Sequence, residues 1–344
     1  MMRNNSHDDK LGSSSRWAEL DLCTGMRRFI AEVEAVYAGL PEGRPIADRR
    51  RTYDELARRY SRHRPSGLRV RDASLPAGAA NPVRVRIYEP VERTDEPAPA
   101  LIYYHGGGFA LGSIESHDCV VAELALASTA VAISVDYRLA PEHPFPAAFE
   151  DAFGVWAHVI QTSGALGIDP HRTILAGDSA GAALTVAVCQ EARRKRMRMP
   201  AGQLLIYPAL TATADLPSYV EQADAPMLTA ASLAYFWRLY TGDGPTAGDP
   251  RAAPLEADDF AGLPPAFIAT ANYDPCRDDG AVYAERLRAA GVRAEYRCAQ
   301  KLAHGYLRAR ALSPAAAAEF AAISEGARAL LRGAGTIAAP RDAA

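Results

Sequence analysis

The stretch Thr173-Ile174-Leu175-Ala176-Gly177-Asp178-Ser179-Ala180-Gly181 runs on through Ala182 into ALTVAVCQEARR at 183–194. An apolar run, a turn of small residues and a helix-forming segment follow one another directly. That order is the strand-turn-helix unit of an α/β fold, and its turn carries the pattern Gly-x-Ser-x-Gly. Small residues at 177, 180 and 181 let the helix begin close against the strand. The turn then presents Ser179 at the carboxyl end of the sheet, where α/β folds hold their sites. The pentapeptide alone arises by chance in about one chain in ten of this length. A serine ahead of a helix also serves as a cap, so its meaning rests on the rest of the chain.

Outward from that unit the same grammar repeats. Leu101–Tyr104, Val131–Val135, Leu204–Tyr207 and Ala266–Thr270 are short apolar runs. Between most of them lie segments of helical period, such as Phe149, Phe153, Trp156 and Ile160. This alternation predicts an α/β fold with a mostly parallel central sheet flanked by helices on both faces. Arg293–Cys298 reads as a late strand and Pro314 to Leu331 as the closing helix. Upstream, Leu68–Asp72 reads as a strand. In Val83–Tyr88, apolar Val83, Val85 and Ile87 alternate with Arg84, Arg86 and Tyr88, which predicts a half-exposed strand.

Helical spacing covers Met26–Leu40 and Tyr53–Tyr60. The expected division is an N-terminal helical cap region at 1–65, an α/β domain at 66–333 and a disordered tail at 334–344. The first twenty or so residues of the cap region are polar and expected to be mobile. Residues 209–262 break the alternation and form a cap insertion around a helix at Ala230–Tyr240, whose Phe236 and Trp237 either line the pocket or anchor the cap to the sheet, anchoring being the favoured reading.

Composition narrows the functions available. With 49% hydrophobic and 23% charged residues the chain has ordinary globular character. A net charge of −3 gives no basic surplus for nucleic acid. The run Arg193-Arg194-Lys195-Arg196 reads as a solvated helix end. No apolar stretch reaches the length of a membrane span, and no apolar segment follows the polar start as a secretory signal would. The five cysteines form no CxxC pair and suggest neither disulfide framework nor zinc site. A reducing, cytoplasmic setting is expected, with no metal and no cofactor.

The chemistry-bearing residues fall where such a sheet would gather them. His105-Gly106-Gly107-Gly108-Phe109 follows the strand LIYY. Consecutive glycines cost chain entropy, and they expose backbone N–H groups to a ligand. Two such amides from Gly106, Gly107 and Gly108, joined by that of Ala180, suit a developing oxyanion. A phosphate loop is the rival, but the GxxxxGK[ST] pattern is absent. A serine hydroxyl needs a base, and of eight histidines His304 lies between the late strand and the final helix. The acid is expected between serine and histidine, after a strand. Asp274 fits best, with Asp278 and Asp279 as competitors at the start of the next helix.

These segments resemble the bacterial hormone-sensitive lipase family of carboxylesterases. The resemblance is carried by HGGGF at 105–109, GDSAG at 177–181, DP at 274–275 and HGY at 304–306. Asp136 to Glu142, with Phe145 to Ala148, adds to it. It implies an α/β-hydrolase fold with a helical cap and hydrolysis of short- to medium-chain acyl esters without a cofactor. By position it implies that Ser179, Asp274 and His304 are catalytic, and that Gly107, Gly108 and Ala180 supply the oxyanion amides, with Gly106 a looser member. Cys276 stands where the family has an aliphatic residue, and Tyr306 where it commonly has Phe. Phe109 and Tyr306 are expected at the substrate pocket. The same machinery also suits an amidase or N-deacetylase, and the fold also occurs in non-catalytic receptors. The partner expected is a small ester, with the late strand as a free edge for a homodimer.

Overall fold

The computed structural model describes residues 17–333, apart from 42, 62, 78–81, 94–95 and 243–247. The expectations for the first sixteen residues and for the tail at 334–344 lie outside the described residues. Two helices open the chain, α1 (Thr24–Ala38) and α2 (Ile46–Tyr60). There follow β1 (Leu68–Leu75), β2 (Val83–Pro90), β3 (Ala98–Tyr104), α3 (Ile114–Ser128), β4 (Val131–Val135), α4 (Ala147–Gln161), β5 (Ile168–Asp178) and α5 (Ala180–Arg194). Then come β6 (Gln203–Ile206), α6 (Pro217–Glu221), α7 (Ala230–Thr241), β7 (Ala266–Tyr273), α8 (Arg277–Ala289), β8 (Ala294–Ala303) and α9 (Pro314–Leu331).

The strands form one eight-stranded sheet in the order β1-β2-β4-β3-β5-β6-β7-β8. β2 is antiparallel to both neighbours, and β4 through β8 run parallel. Side-chain alternation along β3 divides the core. Ile102 and Tyr104 point into the cluster shared with α4, α5 and α8. Leu101 and Tyr103 point into the one shared with α1, α3 and α9. With helices on both faces the central strands are buried throughout, β3 and β4 at every residue. This is why they read as unbroken apolar runs rather than as alternations. β2 pairs with an edge strand. Its Val83, Val85 and Ile87 are buried and its Arg84 and Arg86 half-buried, as the alternation predicts, but Tyr88, expected on the outward side, is fully buried with its hydroxyl donating to Asp118 of α3.

Most strands run a few residues beyond the sequence reading, β8 as far as Ala303, and two elements begin well before their expected start. α2 begins seven residues earlier than expected, because Asp48-Arg49-Arg50-Arg51 is helical despite its charge. Asp48 sits in its first turn, where a carboxylate favours a helix start, and Arg51 pairs with it. β5 begins at Ile168, well before Thr173, because Ile168 already pairs with Ala98 of β3, ahead of a register shift that leads to Thr173 opposite Ala100. Segment 209–262 contains α6, α7 and a 3-10 turn at Pro254–Glu256, and no strand among its described residues. No described helix is long and apolar enough to cross a membrane.

Candidate active site

Four parallel strands end at one rim, and each delivers a residue to it. His105 follows β3, Ser179 follows β5, Asp274 follows β7 and His304 follows β8. Ser179 has φ 54° and ψ −120°, a left-handed conformation that β-carbon-bearing residues avoid. The tight packing behind it makes the turn this sharp. A side chain on Gly181 would strike the carbonyl oxygen of Tyr104. The serine hydroxyl lies 3.0 Å from His304 Nε2, and His304 Nδ1 lies 2.7 Å from Asp274 Oδ2. A carboxylate only accepts, so Nδ1 carries the proton, and Nε2 of the neutral ring is left to accept from the serine. Asp274 is fully buried, and its other oxygen accepts from the Cys276 amide at 2.8 Å. The His304 ring packs on Tyr207, centroids 4.7 Å apart.

The competing acids are engaged elsewhere. Asp278 accepts from the Ser218 amide and pairs with Arg277. Asp279 is buried and accepts from the amides of Leu210 and Thr211. Burial pushes its carboxyl well above the usual range despite these donors.

The glycine loop faces the serine turn. α5 starts at Ala180, so its first amides have no intrahelical acceptor and stay available to a ligand. Gly107 and Gly108 have φ +132° and +61°. Gly106 requires a correction. Its amide donates to Asp178 Oδ1 at 2.9 Å, so it is spent on holding the loop and is not an oxyanion donor. Asp178, between the two motifs, also accepts from Tyr103 and Tyr207 hydroxyls at 2.8 and 3.2 Å. Burial opposes its charge, but the adjacent His117 and these donors outweigh that and hold its carboxyl well below the usual range. His105 is buried between His117 and Tyr137. Burial, with His117 beside it, pushes its imidazole down to about 3, so it stays neutral.

Two further expectations are corrected. Phe109 is 2% exposed and lies face to face with Tyr240 of α7, centroids 3.7 Å apart, with Trp237 tilted against it at 5.4 Å. Its positive φ of 59° turns the ring away from the rim and into the body. Tyr306 is 0% exposed and packs edge-on against Tyr207. The left-handed Gly305 turns the chain inward directly after His304. Trp237 is buried as the expected anchor. Phe236 instead touches the glycine loop, since a β-carbon on Gly108 would run into its ring. The sequence carried no signal for that contact, because it joins segments far apart in the chain.

One group of possible metal ligands occurs among the described residues. Atoms of Asp274, Cys276 and His304 lie within 4.8 Å of one another. The imidazole nitrogen nearest that carboxylate is already hydrogen bonded to it.

Comparison with known proteins gives the family. The family described as alpha/beta hydrolase fold matches residues 101–308. Esterase LipI of Mycobacterium tuberculosis is 44% identical over 251 residues, 72% of this chain and 78% of that protein. Carboxylesterase NlhH of the same organism is 41% identical over 254 residues, 73% of this chain and 79% of the other. The crystal structure of an alpha/beta hydrolase enzyme from the metagenome of Lake Arreo, Spain, superposes with a TM-score of 0.84 at 36% identity. It covers 90% of this chain and 98% of its own. The chain belongs to the α/β-hydrolase family, among the carboxylic ester hydrolases of the hormone-sensitive lipase type.

Proposed function

We propose that the protein hydrolyses short- to medium-chain acyl esters through an acyl-enzyme formed on Ser179. The observation that carries this reading is the continuous hydrogen-bonded series from Ser179 through His304 to Asp274 at the ends of β5, β8 and β7. His304 Nε2 removes the serine proton as Oγ attacks the ester carbonyl. Negative charge then develops on the carbonyl oxygen and is met by the amides of Gly107, Gly108 and Ala180. Asp274 keeps the imidazole in the required tautomer and stabilises its cation. The imidazolium protonates the departing alcohol, and the same nitrogen activates the water that frees the acid. Phe236 against Gly108 narrows the space beside the glycine loop, which supports small acyl groups.

In this reading α1, α2 and the 209–262 insertion form the cap over the rim. The pairing of Arg49 on α2 with the rings of Tyr235 and Phe236 on α7 supports that grouping, at 4.8 and 5.6 Å. The five cysteines are free thiols, which supports residence in the reducing cytoplasm. A dimer formed through β8, an end strand of the sheet, belongs to the same proposal. The test is hydrolysis of p-nitrophenyl esters from acetate to palmitate, with Ser179→Ala as control. The expected result is a maximum at short chains and a loss on the order of 10⁶ in kcat in the control. Wild-type protein that cleaves anilides but no ester would assign an amidase instead.

A further inference from the structure

An oxyanion hole works only if its amides are held still, and the glycine loop here is tethered at both ends by residues outside the catalytic series. At its start, Asp178 Oδ1 takes the Gly106 amide. The same oxygen lies 3.3 Å from Nε2 of His117, a buried residue in the first turn of α3. His117 is fixed in turn, because its Nδ1 lies 2.8 Å from the hydroxyl of Ser116, which closes the capping box of α3 with Ser113. The Ser113 hydroxyl donates to Asp54 on α2 at 3.2 Å. Beyond the loop, Arg50 on α2 donates from Nε to the carbonyl of Ala110 and from Nη2 to that of Ala140, each at 2.8 Å. Ala140 itself donates to the carbonyl of Phe109 at 2.9 Å. Glu142 pairs with the Arg50 fork through both oxygens, at 2.9 and 2.7 Å.

We propose that His117 and Arg50 are positioning residues for the oxyanion hole. His117 acts on Gly106 through Asp178, and Arg50 acts on the far side of the loop through the carbonyls of Ala110 and Ala140. Neither needs to touch substrate. Their effect is to fix the direction of the Gly107 and Gly108 amides between them. Two consequences separate this from a merely structural role. The loss on removing them falls on the transition state, so kcat drops while KM stays. The loss also depends on the hydrogen bond each residue makes, so a side chain that keeps the donor recovers it.

The inference rests on the serine-esterase reading, and the test keeps the two apart. Wild type, Ser179→Ala, His117→Leu, His117→Gln, Arg50→Met and Arg50→Lys are assayed with p-nitrophenyl butyrate. Each is also titrated with an alkyl trifluoromethyl ketone, whose serine adduct bears the same oxyanion, and each is melted. Loss of a donor outright costs about 10²–10³ in kcat, and loss of its support is expected to cost about 10- to 100-fold. The expected result is therefore that His117→Leu and Arg50→Met lower kcat by that factor, with KM within about threefold. The ketone Ki should rise in parallel, and His117→Gln should regain most of the rate. Combining the two losses should give less than their product, because both act on one loop. Folded His117→Leu and Arg50→Met with kcat within twofold of wild type, or with KM alone raised, overturn the proposal, as does a glutamine no better than leucine. If His117→Leu does not fold, Arg50→Met and Tyr103→Phe, which removes one donor to Asp178, decide it by the same readouts. Activity surviving in Ser179→Ala refutes the esterase reading instead.

Discussion

Asp274 and His105 show how burial and hydrogen bonding set what single residues do here. Asp274 is buried with one oxygen on the Cys276 amide and the other on His304 Nδ1. Asp274→Asn keeps the shape but offers an N–H where Nδ1–H must be accepted, so the ring adopts the wrong tautomer. A loss of about 10⁴ in kcat is expected, with KM little changed; steady-state kinetics on one short ester check it. A small loss would mean that the ring holds its tautomer without this carboxylate. His105 makes a different prediction, about stability. Its folded-state value of about 3 lies below the unfolded 6.5, so the unfolded chain takes up the proton first as pH falls. The contribution is fully present above 6.5 and is lost toward pH 3, at a slope of up to about 1.4 kcal/mol per pH unit. Denaturant midpoints from pH 7 to 4 should therefore fall less steeply for His105→Asn than for wild type. Parallel slopes would show that another group controls acid unfolding.

At the scale of elements, α7 decides how the rim is roofed. Its Trp237 and Tyr240 sit in the body against Phe109, while Phe236 reaches the glycine loop and Arg49 lies over its ring. Phe236→Ala should open the space beside Gly108 and move the optimum in the p-nitrophenyl series toward longer acyl chains. If the ring only anchors α7, the profile keeps its shape and the melting temperature falls. The same element marks the limit of what the sequence discloses. The parallel strands were legible because burial on both faces writes them as apolar runs. The serine was legible because it directly follows such a strand, and Asp274 and His304 because each comes within a few residues of an expected strand, although β8 is half-buried and not an apolar run. The directions of Phe109, Tyr306 and Phe236 were not, because they depend on a positive φ at Phe109, a turn at Gly305 and a contact between distant segments. Nor was the engagement of the Gly106 amide by Asp178, because an Asp in the serine motif does not reveal its partners.

The whole molecule leaves a sheet with two ends that differ in kind. β1 is blunted by charge. Its Asp72 pairs with Arg84 and Arg86, and its Arg71 with Glu89. Ion pairs of this sort discourage edge-to-edge association. β8 ends the other side of the sheet. Cys23 donates to the carbonyl of Lys301 near its end, but the residues from Ala294 to Arg297 are half-buried with β7 as their one strand neighbour. An end strand of a parallel sheet that pairs with its own copy across a twofold axis does so antiparallel, which continues the sheet and buries the side chains flanking the new pair. Sedimentation equilibrium should then show a dimer that dissociates on dilution, and amide exchange at 294–298 should slow as protein concentration rises. A monomer at every concentration, with exchange there independent of dilution, would mean that Glu295 and the Arg297–Glu319 pair protect this edge as the arginines protect the other.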